Sequence, residues 1–65
     1  MKIIVNGEAL EPGAPTLAAL LDDLGKGAAK VATSVNEAFV PKHQRTDHSL
    51  HDGDRVEIVA PRQGG

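Results

Sequence analysis

No cysteine occurs in this 65-residue chain, so neither a disulfide nor a thiolate-bound metal holds its fold together. A chain of this length forms one domain and buries only about 60% of the surface that its unfolded form exposes. Its stability must come from the packing of a few apolar side chains. An enzyme pocket of about 300 Å³ or more would consume so small a core, and we therefore expect a binding or carrier protein, not an enzyme.

The charge pattern argues against nucleic acid as a partner. Seven Lys and Arg residues stand against nine Asp and Glu residues, and Phe39 is the one aromatic residue. The sequence thus offers neither a basic stripe for phosphates nor a stacking platform for single strands. The first apolar stretch ends at Asn6, which is too short for a signal peptide or a membrane span. We expect a cytoplasmic protein with no nucleic-acid or membrane partner.

The N-terminal third predicts a hairpin followed by a helix. Met1–Val5 alternates with the period of a strand, and Asn6-Gly7 suits the two positive φ angles of a type I′ turn, so a second strand over residues 8–11 folds back antiparallel. Thr16 is the expected N-cap of the helix, and Gly25 its expected left-handed C-terminal cap. The spacing i, i+3, i+4, i+7 places four leucines on one helical stripe: Leu17, Leu20, Leu21 and Leu24.

The remainder predicts three more strands. Val31–Val35 is rich in β-branched residues, and after a turn over Asn36–Ala38 a short strand, Phe39-Val40, is stopped by Pro41. Residues 42–51 are polar and predict a loop that Leu50 pins to the core. A turn at 52–54 leads into the last strand, Arg55–Ala60, which alternates again.

Hairpin, helix, two strands and a final strand are the element order of a ubiquitin-like β-grasp roll. We expect an α+β fold with a mixed sheet of four to five strands and one main helix packed on one face. A right-handed crossover then sets the first and last strands side by side in parallel. The predicted domain is 1–60, followed by a flexible C-terminal tail over 61–65. The expected core comprises the leucine stripe together with Met1, Ile3, Val5, Val56 and Ile58.

The sequence ends in Gly64-Gly65, which predicts a carboxylate carried on a slender arm. Glycine has no Cβ, so such an arm fits a narrow channel in another protein. A terminal carboxylate is an oxygen nucleophile able to attack the α-phosphate of a nucleotide. The resulting acyl-adenylate is open to a sulfur or nitrogen nucleophile, which makes Gly65 the candidate carrying residue.

Other polar groups predict no site of their own. His43, His48 and His51 share one polar segment, which we interpret as a solvated loop and not as a metal site. Asp22 and Asp23 point about 100° apart on a helix and do not converge on a substrate. The Asp-Gly-Asp sequence at 52–54 lacks the further oxygen ligands of a calcium loop.

Two apolar residues point away from the predicted core. Ile4 and Val59 lie on strands that we expect to be neighbours, and both face away from the helix. They form a candidate docking patch.

Several segments together resemble the ThiS family of sulfur carriers in the thiamine pathway, part of the MoaD/ThiS group of ubiquitin-like proteins. These segments are the opening strand with Asn6-Gly7, the stretch Val35–Pro41, the stretch Leu50–Ile58 and the final Gly64-Gly65. The Asp-Gly-Asp turn into the last strand is typical of these carriers, and the resemblance spans essentially the whole chain.

The resemblance implies a chain that is acted upon and binds no cofactor itself. An E1-like adenylating enzyme of the ThiF type would use ATP and magnesium to adenylate Gly65. Sulfur from a cysteine desulfurase would then give a C-terminal thiocarboxylate, and a thiazole synthase of the ThiG type would take that sulfur for the thiazole ring of thiamine. Gly64, Gln63 and Arg62 would enter the partner's active site.

Three alternatives remain open from the sequence. The small subunit of molybdopterin synthase is also a β-grasp carrier that ends in Gly-Gly, although it is typically longer. The second alternative is a different use of the same tail, either in a carrier that serves another sulfur-containing metabolite or in a ubiquitin-like modifier conjugated to lysines. The third is an interaction module without carrier chemistry, which predicts unchanged partner binding after the tail is removed.

Overall fold

The computed structural model describes residues 1–60; residues 61–65 lie outside the described part, so the predicted division into a domain and a tail stays a prediction. One helix packs against a five-stranded mixed sheet of order β2-β1-β5-β3-β4. β1 and β5 run parallel, and the other neighbouring strands are antiparallel. The expected α+β β-grasp roll is thereby confirmed. The elements are β1 Ile3–Val5, β2 Glu8–Leu10, α1 Leu17–Asp23, β3 Ala32–Val35, β4 Ala38–Val40, a 3₁₀ helix Lys42–Asp47 and β5 Arg55–Val59.

Two tight turns close the two antiparallel hairpins. Asn6 and Gly7 have φ angles of 49° and 84°, as the expected type I′ geometry requires. Asn36 and Glu37 repeat this pattern with φ angles of 51° and 72°. The second turn is therefore a two-residue turn, and the prediction that Ala38 belongs to it was wrong because Ala38 already pairs with Val35.

The helix begins as predicted and ends earlier than the leucine stripe. The Thr16 hydroxyl accepts a hydrogen bond from the Ala19 N–H at 3.2 Å, and Gly25 adopts a φ of 75° just beyond the helix. Leu24 is the C-cap residue and is 37% exposed. Placing Leu24 in the core was wrong because the backbone leaves the helix there and no longer directs its side chain at the sheet.

The core lies between α1 and one face of the sheet. Met1 is 42% exposed, so its predicted core position was wrong: it lies before the start of β1, where no strand pairing fixes its orientation. Leu50 is buried, as expected. The buried apolar residues are Ile3, Val5, Ala14, Leu17, Leu20, Leu21, Val35, Val40, Leu50, Val56 and Ile58.

A 3₁₀ helix occupies much of the segment that we expected to be a loop. Its Arg45 is buried, with Nε donating to the Thr33 hydroxyl at 3.0 Å and Nη2 donating to the Val31 carbonyl at 2.6 Å. The loop prediction was wrong because a charged side chain, not an apolar stripe, ties this segment to β3. Within residues 1–60, no helix has the length and apolar character needed to cross a membrane.

Candidate functional site

The candidate site is the C-terminal end of β5, from which the chain continues toward Gly65. β5 lies at the centre of the sheet between β1 and β3 and ends at Val59. The predicted tail residues all lie outside the described residues, so their roles stay predictions: Arg62, Gln63, Gly64 and Gly65. What the structure defines is the base from which they extend.

The side chain of Asn6 forms two hydrogen bonds with β5 near the C-terminal end of that strand. Its Oδ1 accepts from the Ile58 N–H at 2.8 Å, and its Nδ2 donates to the Ile58 carbonyl at 3.1 Å. One amide thus satisfies both polar groups of one β5 residue. Sequence reasoning used Asn6 only for its turn geometry and missed this contact.

A second polar cluster holds the start of β5. The Asn36 Oδ1 accepts from the Arg55 N–H at 3.0 Å, and the Asn36 Nδ2 donates to the Asp54 carboxylate at 2.9 Å. The other oxygen of Asp54 accepts from the His51 N–H at 2.8 Å. The β3–β4 turn and the turn that precedes β5 are therefore fastened to each other.

Asp54 is the titratable group that this cluster perturbs. Burial alone would raise the pKa of its carboxyl. Two influences act in the opposite direction: the hydrogen bonds from the His51 backbone and the Asn36 amide, and the positive charge that His51 and His48 carry when protonated. Together they outweigh burial, so the pKa of Asp54 is lowered. Asp54 is therefore a structural carboxylate, held ionised by the donors around it.

The sheet face opposite α1, called here the outer face, carries the predicted docking residues. Ile4 is 38% exposed and Val59 is 60% exposed, on strands that pair as expected. Ile4 pairs with Arg55, four residues before Val59, so the two lie about 13 Å apart along the strand direction. They share the outer face without touching, and the patch stays a prediction.

Phe39 is an outer-face residue that sequence reasoning did not assign to docking. It pairs with Ser34 across β3 and β4 and is 69% exposed. The signal was available in the alternation of β4, because Val40 faces the core and its neighbour must face away. Three exposed apolar side chains thus extend across the outer face.

A shallow depression of about 230 Å³ lies beside Ile4 on the outer face. It is bordered by Arg55 and Glu37, whose charged groups approach to 3.7 Å in an exposed pair. The volume is below the ~300–1,000 Å³ typical of small-molecule sites. This region suits contact with a protein surface better than capture of a substrate.

The remaining polar candidates are dispersed. His43 and His51 are exposed and His48 is half-buried, while Asp22 and Asp23 are exposed. Among residues 1–60, no three His, Asp or Glu side chains converge as a metal site would require.

Fold and site together define the class of protein. A parallel pair of first and last strands, a last strand at the centre of the sheet and one covering helix are the features of a ubiquitin-like β-grasp protein. The model of the ThiS family matches residues 2–65. The chain belongs to the ThiS family and is a sulfur carrier of thiamine biosynthesis.

Individual relatives agree with this family. The sulfur carrier protein ThiS of Escherichia coli K12 is 32% identical over 66 residues, with both chains covered completely. The crystal structure of the thiamine biosynthesis protein ThiS from Geobacter metallireducens aligns over 100% of both chains with a TM-score of 0.83 and 28% identity.

A longer protein also contains this sequence pattern. A thiazole synthase of Paramagnetospirillum magneticum AMB-1 is 42% identical over 66 residues. The alignment covers all of this chain and 20% of that protein. The chain therefore spans only a fifth of the length of this relative.

Proposed function

We propose that Gly65 carries the sulfur as a C-terminal thiocarboxylate. The observation that supports this most directly is that the family match extends through Gly64 and Gly65, beyond the last strand of the sheet. The chain acts as a carrier and co-substrate, and other proteins supply the catalysis. A cytoplasmic location stays a prediction.

The proposed chemistry first activates the Gly65 carboxyl group and then exchanges one of its oxygens for sulfur. A Gly65 carboxylate oxygen attacks the α-phosphorus of ATP, held with magnesium by an E1-like adenylating enzyme of the ThiF type, and pyrophosphate leaves. The persulfide sulfur that a cysteine desulfurase generates then attacks the acyl carbon and displaces AMP. A thiol such as that of cysteine cleaves the resulting acyl disulfide, which leaves the thiocarboxylate and a new disulfide. Gly64, Gln63 and Arg62 form the segment that enters the partner's active site.

A thiazole synthase of the ThiG type is the proposed acceptor of the sulfur. Its support is the stretch of a protein named thiazole synthase that resembles this whole chain. The presence of a carrier-like segment in a protein named thiazole synthase supports a direct transfer of sulfur from carrier to synthase.

The outer face is the proposed docking surface for the adenylating enzyme. Ile4 and Val59 are apolar and exposed there, and Val59 ends the strand that leads to the tail. A partner seated on this face would lie next to the emerging chain. Docking and delivery of the carboxylate would then be coupled.

Mass spectrometry tests the carrier chemistry. The chain is incubated with ATP, magnesium, the adenylating enzyme, a desulfurase and cysteine, and the expected product carries sulfur in place of one Gly65 oxygen. Oxidation of Met1 adds nearly the same mass, so the change must be assigned to the fragment that contains Gly64 and Gly65. An unmodified C-terminal fragment in the presence of active partners would overturn the proposal.

Changes at Gly65 separate chemistry from folding. We expect deletion of Gly65 to abolish loading and Gly65→Ala to slow adenylation, because an added Cβ crowds the catalytic groups around the carbonyl. Both variants should keep the wild-type free energy of unfolding. Full loading of the shortened chain would exclude Gly65 as the carrying residue.

Titration calorimetry with the adenylating enzyme tests the docking face. We expect Ile4→Ser and Val59→Ser each to raise the Kd about tenfold, equivalent to ~1.4 kcal/mol. Leu24→Ser is the matched control, since Leu24 is 37% exposed and Ile4 is 38% exposed but Leu24 follows the helix. Equal affinities for the Ile4 and Leu24 variants would count against this surface.

A further inference from the structure

We infer that Asn6 is a positioning residue, which fixes where and in which direction the chain leaves the sheet toward Gly65. This role rests on the proposed function, because it matters only if Gly65 must reach a partner's active site. Within residues 1–60, the Asn6 side chain bonds to the backbone of Ile58. It acts through the last residues of β5.

The Asn6 side chain extends the β1–β5 ladder by one step after the β1 backbone has turned away. The Ile4 N–H donates to the Asp54 carbonyl at 2.9 Å, and the Asn6 N–H donates to the Val56 carbonyl at 2.9 Å. At Asn6 the backbone enters the turn with a φ of 49°. The next β5 residue in the series is Ile58, whose N–H donates to the Asn6 Oδ1 and whose carbonyl accepts from the Asn6 Nδ2.

The position demands two properties that few side chains combine. The residue must tolerate a positive φ, and its side chain must offer one donor and one acceptor to the same backbone residue. Asparagine meets both conditions. Glycine tolerates the φ without offering either group, and aspartate at neutral pH offers only acceptors.

Loss of the Asn6 side-chain bonds would allow the C-terminal end of β5, which is the base of the segment that leads to Gly65, to move. On the β1 side the backbone bond nearest the end of β5 would then be at Val56, and only the pairing of β5 with β3, which extends to Val59, would hold this end of the strand. Gly65 lies seven residues after Ile58, a reach of at most about 25 Å. A change in direction at the base displaces the carboxylate relative to ATP, and rates fall steeply with such misplacement.

Asn36 provides a matched control within the same molecule. It has the same left-handed backbone, with a φ of 51°, and its side chain also bonds to the β5 backbone. Its contact is with Arg55, at the opposite end of β5 from the tail. Replacement of either asparagine by glycine removes side-chain bonds to β5 without straining the turn, but only one of them lies at the exit.

The experiment compares Asn6→Gly and Asn36→Gly in thiocarboxylate formation by the adenylating enzyme, desulfurase, ATP, magnesium and cysteine. With Asn6→Gly as the substrate, we expect the kcat of the adenylating enzyme to fall about tenfold and its KM for the carrier to stay within about twofold of the wild-type value. With Asn36→Gly, both constants should stay within about twofold of the wild-type values. In the free protein, hydrogen exchange of the Ile58 N–H should accelerate about tenfold in Asn6→Gly relative to Asn36→Gly. Asn6→Asp keeps the acceptor for the Ile58 N–H and should give a kcat between those of the wild type and Asn6→Gly. This variant replaces Asn6→Gly in the test if Asn6→Gly fails to fold.

The outcomes distinguish this role from the function on which it rests. Equal kcat values for the two glycine variants, with normal loading of the wild type, would overturn the positioning role alone. An increase in KM with unchanged kcat would also overturn it, because Asn6 would then serve docking. A wild-type chain left unloaded by active partners would overturn the proposed function and this role with it.

Discussion

Asp54 connects three segments of the chain through its carboxylate and its backbone carbonyl. It accepts hydrogen bonds from His51 in its own turn and from Asn36 in the β3–β4 turn, and its carbonyl accepts from the Ile4 N–H of β1. The side chain thus stabilises the entry to β5 only while both of its oxygens act as acceptors.

We expect Asp54→Asn to lower the free energy of unfolding at pH 7 by about 1–3 kcal/mol, because an amide replaces one acceptor by a donor that faces another donor. The pKa of Asp54 is lowered in the folded state. Its stabilising contribution is therefore complete above the unfolded pKa of about 3.9 and is lost as pH falls through the folded pKa.

Urea denaturation as a function of pH tests this expectation. The difference between wild type and Asp54→Asn should shrink as the pH drops below about 4. Asp47→Asn, at an exposed aspartate, serves as the control. A difference that is constant from pH 7 to pH 2 would show that ionisation of Asp54 does not contribute.

At the scale of elements, α1 shows how little helix this fold uses to cover its sheet. The helix has seven residues and buries Leu17, Leu20 and Leu21. So short a helix has little stability of its own in water, and its packing on the sheet maintains it. The cap at Thr16 and the glycine at 25 set its two ends.

Leu20→Ala should lower the free energy of unfolding by roughly 2–5 kcal/mol, because Leu20 is 1% exposed and the replacement leaves a cavity. For a domain of this size such a loss approaches the total stability. Leu24→Ala, on the same sequence stripe but exposed, should cost less than about 1 kcal/mol. Denaturant titration of both variants checks this, and similar losses would contradict the placement of Leu24 outside the core.

At the scale of the whole molecule, the buried apolar core described for residues 1–60 ends at Ile58. Its residues extend from Ile3 to Ile58, and the chain after β5 adds none of the described core. We therefore expect the fold and the proposed chemistry to depend on separate parts of one short chain.

A chain ending at residue 60 should keep the wild-type midpoint of urea unfolding and lose all sulfur loading. A chain ending at residue 57 is the control, since it also lacks Ile58, which is 8% exposed, and should be strongly destabilised. Circular dichroism with denaturant measures both. A large loss of stability in the 60-residue chain would mean that the tail contributes to the fold.

The sequence by itself determined the element order, the first turn, the helix caps and the β-grasp topology. These features depend on local chemistry: the positive φ tolerated by Asn6-Gly7, the hydroxyl of Thr16 and the periodicity of apolar side chains. The family resemblance likewise depended on residues that are visible in order along the chain.

Only the tertiary structure decided which polar side chains bind across the fold. Arg45 is 12 residues from Thr33, and Asn6 is 52 residues from Ile58, yet each pair is joined by a hydrogen bond. The spacing of polar side chains along the sequence does not predict which distant residue each one bonds to, because these contacts depend on where separate strands meet. The same reason explains Leu24 and Met1: hydrophobicity favours burial, but only the ends of the actual elements determine whether the side chain faces the core.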